Sequence, residues 1–129
     1  MIHFDPEYGG YAYIKGLWLW RRIYVGHRFV SLPDREQMAV ILHEVGHCRL
    51  WHIERRLPRL LVFGRIACAA YLQRQELEAD AYVASRGYGA DLAKVLRCIN
   101  GPDQTFRSER IALLEEAVKL GLANVKKAV

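Results

Sequence analysis

The order of apolar and polar residues divides the chain into a β-rich start and a helical remainder. Residues 11–32 hold short runs of β-branched, aromatic and aliphatic residues, and Lys15-Gly16 and Gly26 interrupt them. This pattern is typical of strands joined by turns. The last run, residues 28–32, predicts a short strand just before the first helix. We therefore expect a small antiparallel sheet of two or three strands here.

From residue 34 onward the apolar residues recur at helical spacing. The first helix is predicted over residues 34–57, because a Pro-Asp pair at Pro33 is typical of a helix start and Pro58 is typical of a helix end. The remaining helical segments are predicted over residues 59–86, 91–99 and 106–120, the last of them stopping at Gly121.

Residues 60–72 form an almost wholly apolar run inside the second helical segment. This run is too short to cross a bilayer, which takes about 20 residues. A buried helix is the primary prediction, and a helix lying on a membrane surface is the alternative.

The size and composition indicate one folded domain. The chain has 129 residues, 52% of them hydrophobic, with no low-complexity stretch and no internal repeat. A chain of this length can bury a single core. The predicted fold class is α+β, with the small N-terminal sheet followed by four to five helices.

Two features predict a soluble, cytoplasmic protein. The first ten residues carry acids and a proline where a signal peptide has a basic start and an apolar run. The three cysteines, Cys48, Cys68 and Cys98, form no CxxC pair. An odd count of this kind favours reduced thiols over disulfides or a cysteine-held metal.

The formal charge of +5 is concentrated in residues 49–74, which hold six arginines and a single acid, Glu54. One interpretation is a solvated helix face. The other is a basic patch that makes peripheral contact with an anionic membrane. No zinc-knuckle, RNA-binding or helix-turn-helix signature accompanies the charge, so nucleic acid is not expected as a partner.

The most specific chemical pattern is HExxH, at residues 43–47. Residues four apart share a helical face, so His43 and His47 can bind one Zn²⁺ together. Glu44 can then take a proton from a water that the metal acidifies. We expect Glu44 to be the general base of a hydrolytic reaction.

A catalytic zinc needs a third protein ligand, and Glu76, Glu78 and Asp80 are the candidates. Glu76 and Asp80 share a helical face, which favours Glu76 as the ligand and Asp80 as the hydrogen-bond partner of a ligating histidine. Glu78 is expected to face solvent. The alternative is that all three acids lie on an exposed helix. His52 would lie about 140° from the ligand face of a continuous helix, so a structural or surface role is expected.

Three segments of the chain resemble gluzincin metallopeptidases of the HtpX and CAAX-prenyl-protease type. The segments are HEVGHCRLWH, ELEADAYVASRGYGADLAKVL and PDQTFRSERIALL, and the resemblance covers roughly residues 34–115. It implies a zincin-like fold and an extended peptide substrate paired with residues 27–32 as an edge strand. It also implies one zinc ion on His43, His47 and Glu76, with Glu44 as general base and Asp80 in support.

The chain departs from these relatives in its last motif, where no histidine precedes Pro102. Arg107 or Arg110 is a candidate to supply positive charge in its place. Tyr82 and Tyr88 are candidate hydrogen-bond donors to the developing oxyanion. The membrane-spanning helices of the large relatives have no counterpart, so a minimal, soluble version is expected.

The predicted function is zinc-dependent hydrolysis of peptide bonds. Two alternatives remain open. The ImmA/IrrE regulators also carry HExxH and cleave a repressor. The second alternative is a catalytically inactive binding protein in which zinc only holds the helices together, an idea motivated by the missing histidine before Pro102.

Overall fold

Three short strands form the N-terminal sheet of the computed structural model, which describes the backbone of residues 2–128 and the side chains of residues 2–121. The strands are β1 (Ile2–Phe4), β2 (Ala12–Lys15) and β3 (Arg22–Val25). Their order is β1-β3-β2, with β1 parallel and β2 antiparallel to β3. The sheet is therefore mixed, because the unpredicted strand β1 pairs in parallel.

The helices follow the sheet, and together they confirm the predicted α+β class. They are α1 (His27–Val30), α2 (Asp34–Arg49), α3 (His52–Ala67), α4 (Ala69–Ser85), α5 (Gly89–Arg97) and α6 (Gln104–Ala128). Among the described residues, no helix combines the length and the apolar character needed to cross a bilayer.

The strand predicted at residues 28–32 is wrong, because this segment forms α1. Ser31 Oγ donates a hydrogen bond to the Arg28 carbonyl at 2.9 Å, and Gln37 Nε2 donates to the Phe29 carbonyl at 3.1 Å. These side chains donate hydrogen bonds to the backbone carbonyls of a helical turn. The pattern of apolar residues alone does not predict such hydrogen bonds. Residues 18–20 likewise form a 3-10 turn instead of a strand.

The first long helix, α2, ends at Arg49, well before the predicted end at residue 57. Trp51 adopts a left-handed backbone conformation with φ of 56°, and α3 begins at the next residue. A left-handed residue interrupts the helical register. Pro58 therefore lies inside α3 and is not the stop signal.

The apolar run of α3 is exposed, so the prediction of a buried helix is wrong there. Leu61, Val62, Phe63 and Ile66 are 79, 73, 67 and 95% exposed. His52 is the buried residue of α3. Gly64 interrupts the helix with φ of 76° and ψ of 173°, a conformation that favours glycine. The run therefore contributes little to the core.

The core lies between α2, α4, α5 and α6. Its buried members are Ala39, Val83, Leu92, Ala93, Leu96 and Leu114. Gly46 lets α2 approach α4 closely, since a Cβ at this position would lie 3.3 Å from Ala79 Cα and 3.3 Å from Tyr82 Cβ. This approach puts the two predicted ligand-bearing helices side by side.

The last two helices correspond to the predicted helices at residues 91–99 and 106–120. The boundaries of α5 shift by about one half turn, which is ordinary for sequence-based boundaries. The last helix, α6, continues through Gly121 to Ala128, so Gly121 is not its end.

Candidate metal centre and clefts

Three predicted ligands converge between α2 and α4. His43 and His47 are 9 and 6% exposed, and they face Glu76 of α4. The Nε2 atoms of the two histidines lie 3.1 Å apart. Glu76 Oε2 lies 3.2 Å from His43 Nε2, and Glu76 Oε1 lies 3.2 Å from His47 Nε2. These side chains form a group that can hold a metal ion.

The spacing of the donor atoms fits a shared ion. Metal–ligand bonds of about 2.0–2.1 Å at tetrahedral angles place neighbouring donors about 3.3 Å apart. The 3.1 Å separation of the two histidine Nε2 atoms is close to that value. Each histidine lies 3.2 Å from a different oxygen of Glu76, and one donor atom from each of the three residues lies within 4.8 Å of the other two. The three side chains therefore lie close enough together to become ligands of one ion.

Asp80 and Arg110 support the His43 side of this group. Asp80 Oδ1 lies 3.0 Å from His43 Nδ1, in contact but without an aligned hydrogen bond. Arg110 donates two hydrogen bonds to the Asp80 carboxylate, at 2.7 and 2.8 Å, and its Nη2 lies 3.6 Å from Glu76 Oε2. A two-pronged contact of this kind fixes the carboxylate orientation. Asp80 thus lies beside His43 as predicted, but without the predicted hydrogen bond to it.

The neighbouring charges shift the pKa values of the histidine and the carboxylates in this group. Burial by itself lowers the pKa of His43, but the carboxylates of Asp80 and Glu76 outweigh it and raise that pKa to about 9. Burial raises the pKa of Glu76, yet the adjacent imidazoles of His43 and His47 hold that pKa well below its usual range. Burial also raises the pKa of Asp80, and Arg110 and His43 together hold it low. Both acids are therefore ionised at neutral pH.

A second series of side-chain hydrogen bonds holds His47. His47 Nδ1 lies 2.7 Å from His52 Nδ1, and His52 Nε2 lies 2.8 Å from Glu78 Oε2. His52 is fully buried, so the surface alternative is wrong and the structural alternative agrees with its position. The sequence predicts that Glu78 faces solvent; its side chain is 35% exposed, and its Oε2 contacts His52. The expectation for His52 assumes one continuous helix, which the break at Trp51 rules out.

The contacts of His52 determine the proton positions along this series of hydrogen bonds. Burial lowers the pKa of His52, which favours the neutral ring. A neutral ring that donates from Nε2 to Glu78 must accept at Nδ1, so His47 donates from its own Nδ1. In the neutral form of His47 that donates from Nδ1, the lone pair lies on Nε2, the atom that faces His43 and Glu76. This assignment is the protonation state that a metal ligand needs.

Glu44 lies where two clefts meet, and both clefts include Ala12, His43 and Glu76. One cleft has a volume of about 350 Å³ and extends towards apolar residues of α5. The other, of about 400 Å³, is also lined by Arg56 of α3. Burial raises the pKa of Glu44 above its ordinary value, which favours proton transfer near neutral pH.

The remaining candidates are divided between the site and the surface. Arg110 lines the apolar cleft. Arg107 instead donates to the carbonyls of Gly101 and Pro102 and closes that loop. The rings of Tyr82 and Tyr88 stack with arginines away from the clefts, at 5.1 Å from Arg86 and 4.7 Å from Arg35, respectively.

Tyr8 is a cleft residue that sequence reasoning missed. It lines the apolar cleft next to Glu44. Burial, followed by the charge of Glu44, raises the pKa of Tyr8, so its hydroxyl stays protonated. Tyr8 precedes β2 in an irregular segment whose sequence carries no periodic signal.

Comparisons with family models, with curated proteins and with solved structures find no match to this chain. The geometry of the metal-binding group and its clefts is therefore the basis for the functional proposal.

Proposed function

We propose that this chain is a zinc-dependent metalloendopeptidase. The observation that carries the proposal is the convergence of His43, His47 and Glu76, with one donor atom from each within 4.8 Å of the other two, beside Glu44 at the junction of two clefts. Two imidazoles and one carboxylate are a ligand set that catalytic zinc sites use, with the fourth position left for solvent or substrate.

Each residue of the site has its own role in the proposed hydrolysis. Zinc, when bound, lowers the pKa of a water molecule and polarises the scissile carbonyl. Glu44 would accept a proton from the water as its oxygen bonds to the scissile carbonyl carbon. It would pass that proton to the amine nitrogen as the C–N bond breaks, so that the amine does not leave as an anion. Asp80 with Arg110 holds His43, and His52 with Glu78 holds His47.

The substrate we propose is an extended peptide that pairs with β2. In the described sheet, β2 pairs with β3 and lies at an edge, and Ala12 of β2 lines both clefts. An extended chain can add to such an edge through main-chain hydrogen bonds. This placement replaces residues 27–32, which are helical over His27–Val30.

The clefts suggest a preference for certain side chains near the cut. The cleft towards α5 is lined by Val40, Leu92, Val95, Leu96 and Ile99. We therefore propose that the substrate carries a large apolar residue on that side of the scissile bond, because its burial there is favourable.

Glu44→Gln tests the proposed chemistry. The amide cannot accept a proton, so cleavage of unfolded casein should fall by at least about 10²-fold, the usual contribution of a general base. Zinc content and circular dichroism should stay as in the parent, since Glu44 is not a ligand. Glu36→Gln, in the first turn of the same helix, is the matched control and should cleave like the parent.

Two outcomes would count against the proposal. Cleavage by Glu44→Gln at the parent rate would remove Glu44 from the mechanism. A parent protein that holds zinc but cleaves neither casein nor a peptide library would favour the non-catalytic binding protein.

A further inference from the structure

Large apolar side chains are exposed on two neighbouring segments, the loop after β2 and the far end of α3. Leu19 and Ile66 are 92 and 95% exposed. We call the whole set the apolar–basic surface; its apolar members are Leu17, Trp18, Leu19, Trp20, Leu57, Leu61, Val62, Phe63 and Ile66. Soluble monomers rarely expose so large an apolar patch without a binding role.

The two segments are held together at Glu54, in the first turn of α3. The backbone N–H of Trp18 donates to Glu54 Oε1 at 2.7 Å, and Arg21 Nε lies 3.4 Å from the same oxygen. Leu57 and Leu61 follow Glu54 by three and seven residues, so they lie on the same helical face. The exposed loop therefore continues into the exposed side of α3.

The charge of this surface is positive. Arg59 and Arg65 are exposed along α3 among the apolar residues, and Arg55, also exposed, lies 3.8 Å from Glu78 Oε2. Glu54 is the single acid of residues 49–74, and Arg21 pairs with it. The surface thus offers arginines and apolar side chains without a competing free acid in that segment.

We propose that the apolar–basic surface docks on the headgroup region of an anionic lipid bilayer. Tryptophan side chains favour the membrane interface, and arginine can keep its charge at the headgroups while its stem lies on apolar surface. Juxtaposed basic and apolar residues are the usual signature of peripheral binding to anionic lipid. The surface penetrates the interface without spanning the bilayer.

A lipid partner fits this surface better than a second copy of the chain. Self-association through this patch would bring the arginines of two copies together, and like charges in contact are unfavourable. The interruption at Gly64 also spreads the apolar side chains over more than one helical face. The fluid headgroup region of a bilayer can accommodate a surface of this shape. A protein groove that fits one straight helix cannot.

Vesicle flotation of the full chain tests the inference independently of zinc. The parent should float with phosphatidylcholine–phosphatidylserine vesicles, less so at high salt, and stay unbound with pure phosphatidylcholine. The variant Leu61→Ser/Phe63→Ser/Ile66→Ser should partition at least about tenfold more weakly, since it removes three exposed anchors. Leu113→Ser/Leu120→Ser, two exposed apolar residues of α6, is the matched control and should float like the parent.

Tryptophan fluorescence reports the orientation on the vesicle. Brominated lipid should quench the emission of the parent, and Trp18→Phe/Trp20→Phe should lose most of that quenching while it still floats. Equal flotation of the serine variant and the parent would overturn the proposal. So would equal binding to neutral vesicles, or a dimer in sedimentation experiments that the serine variant abolishes without any vesicle binding by the parent.

Discussion

His52 shows how one residue outside the HExxH pattern can determine the state of a ligand within it. It is fully buried, accepts from His47 and donates to Glu78. The side chains beyond a ligand fix its tautomer and its ring orientation. The Glu78 carboxylate thereby influences His47 although neither Glu78 nor His52 is a ligand.

His52→Ala should weaken zinc binding by about 10–100-fold, the usual cost of losing such a partner. The measurement is a zinc dissociation constant by competition with a chelator, with the cobalt-substituted absorption spectrum as a second readout. His52→Gln should restore part of the affinity, because its amide can both accept from His47 and donate to Glu78. His27→Ala, which removes a histidine bonded to the Pro6 carbonyl, is the control and should bind zinc normally. Parent-like affinity and spectrum in His52→Ala would show that the contact has no such role.

The same residue marks a limit of sequence reasoning. Helical spacing alone predicts the shared face of His43 and His47, and the structure joins Glu76 to them as expected. The roles of His52 and Glu78 depend on the left-handed backbone of Trp51, a residue type that rarely adopts it. The conformational propensities of the residues do not predict that helix break.

At the scale of elements, the site depends on how closely α2 and α4 approach. Gly46 faces the backbone of Ala79, and an added Cβ would lie 3.3 Å from its Cα and 3.4 Å from its carbonyl oxygen. A glycine inside a helix is unexpected from sequence alone. The close contact of α2 with α4 explains why Gly46 stands there.

Gly46→Ala should separate the two helices slightly and destabilise the protein. Alanine gains about 1 kcal/mol in helix propensity, but overpacking against a backbone costs about 1–3 kcal/mol. We expect a net loss in the free energy of unfolding by urea, together with weaker zinc binding. Gly121→Ala is the matched control, since its added Cβ would meet nothing within 4 Å. It should stabilise α6 by up to about 1 kcal/mol. Equal stabilisation by both substitutions would contradict the close-packing interpretation.

The other element-scale differences have local causes. Periodicity predicts the existence of most helices, because α2, α4, α5 and α6 each turn a face to the core. It does not distinguish the turn of α1 from a strand, nor an exposed apolar run from a buried one. Among the described residues, none of α3 belongs to the core cluster that these four helices form.

At the scale of the whole molecule, the metal-binding group joins elements that are distant in sequence. Its candidate ligands come from α2 and α4, its cleft walls from β2 and α5, and Arg110 comes from α6. A zinc ion bound there would link α2 and α4, which are distant in sequence. The edge position of β2, which the proposed substrate uses, is a property of the sheet order and not of any single segment.

Zinc content per chain is the most direct test of this account. After equilibration with zinc and gel filtration, the parent should retain about one ion per chain, as expected for a single three-ligand site. His43→Ala and Glu76→Gln should retain little or none, because each leaves fewer ligands than the site needs. Glu116→Gln, an exposed acid of α6, should match the parent. If His43→Ala and Glu76→Gln hold as much zinc as the parent, the metal centre proposed between α2 and α4 does not exist.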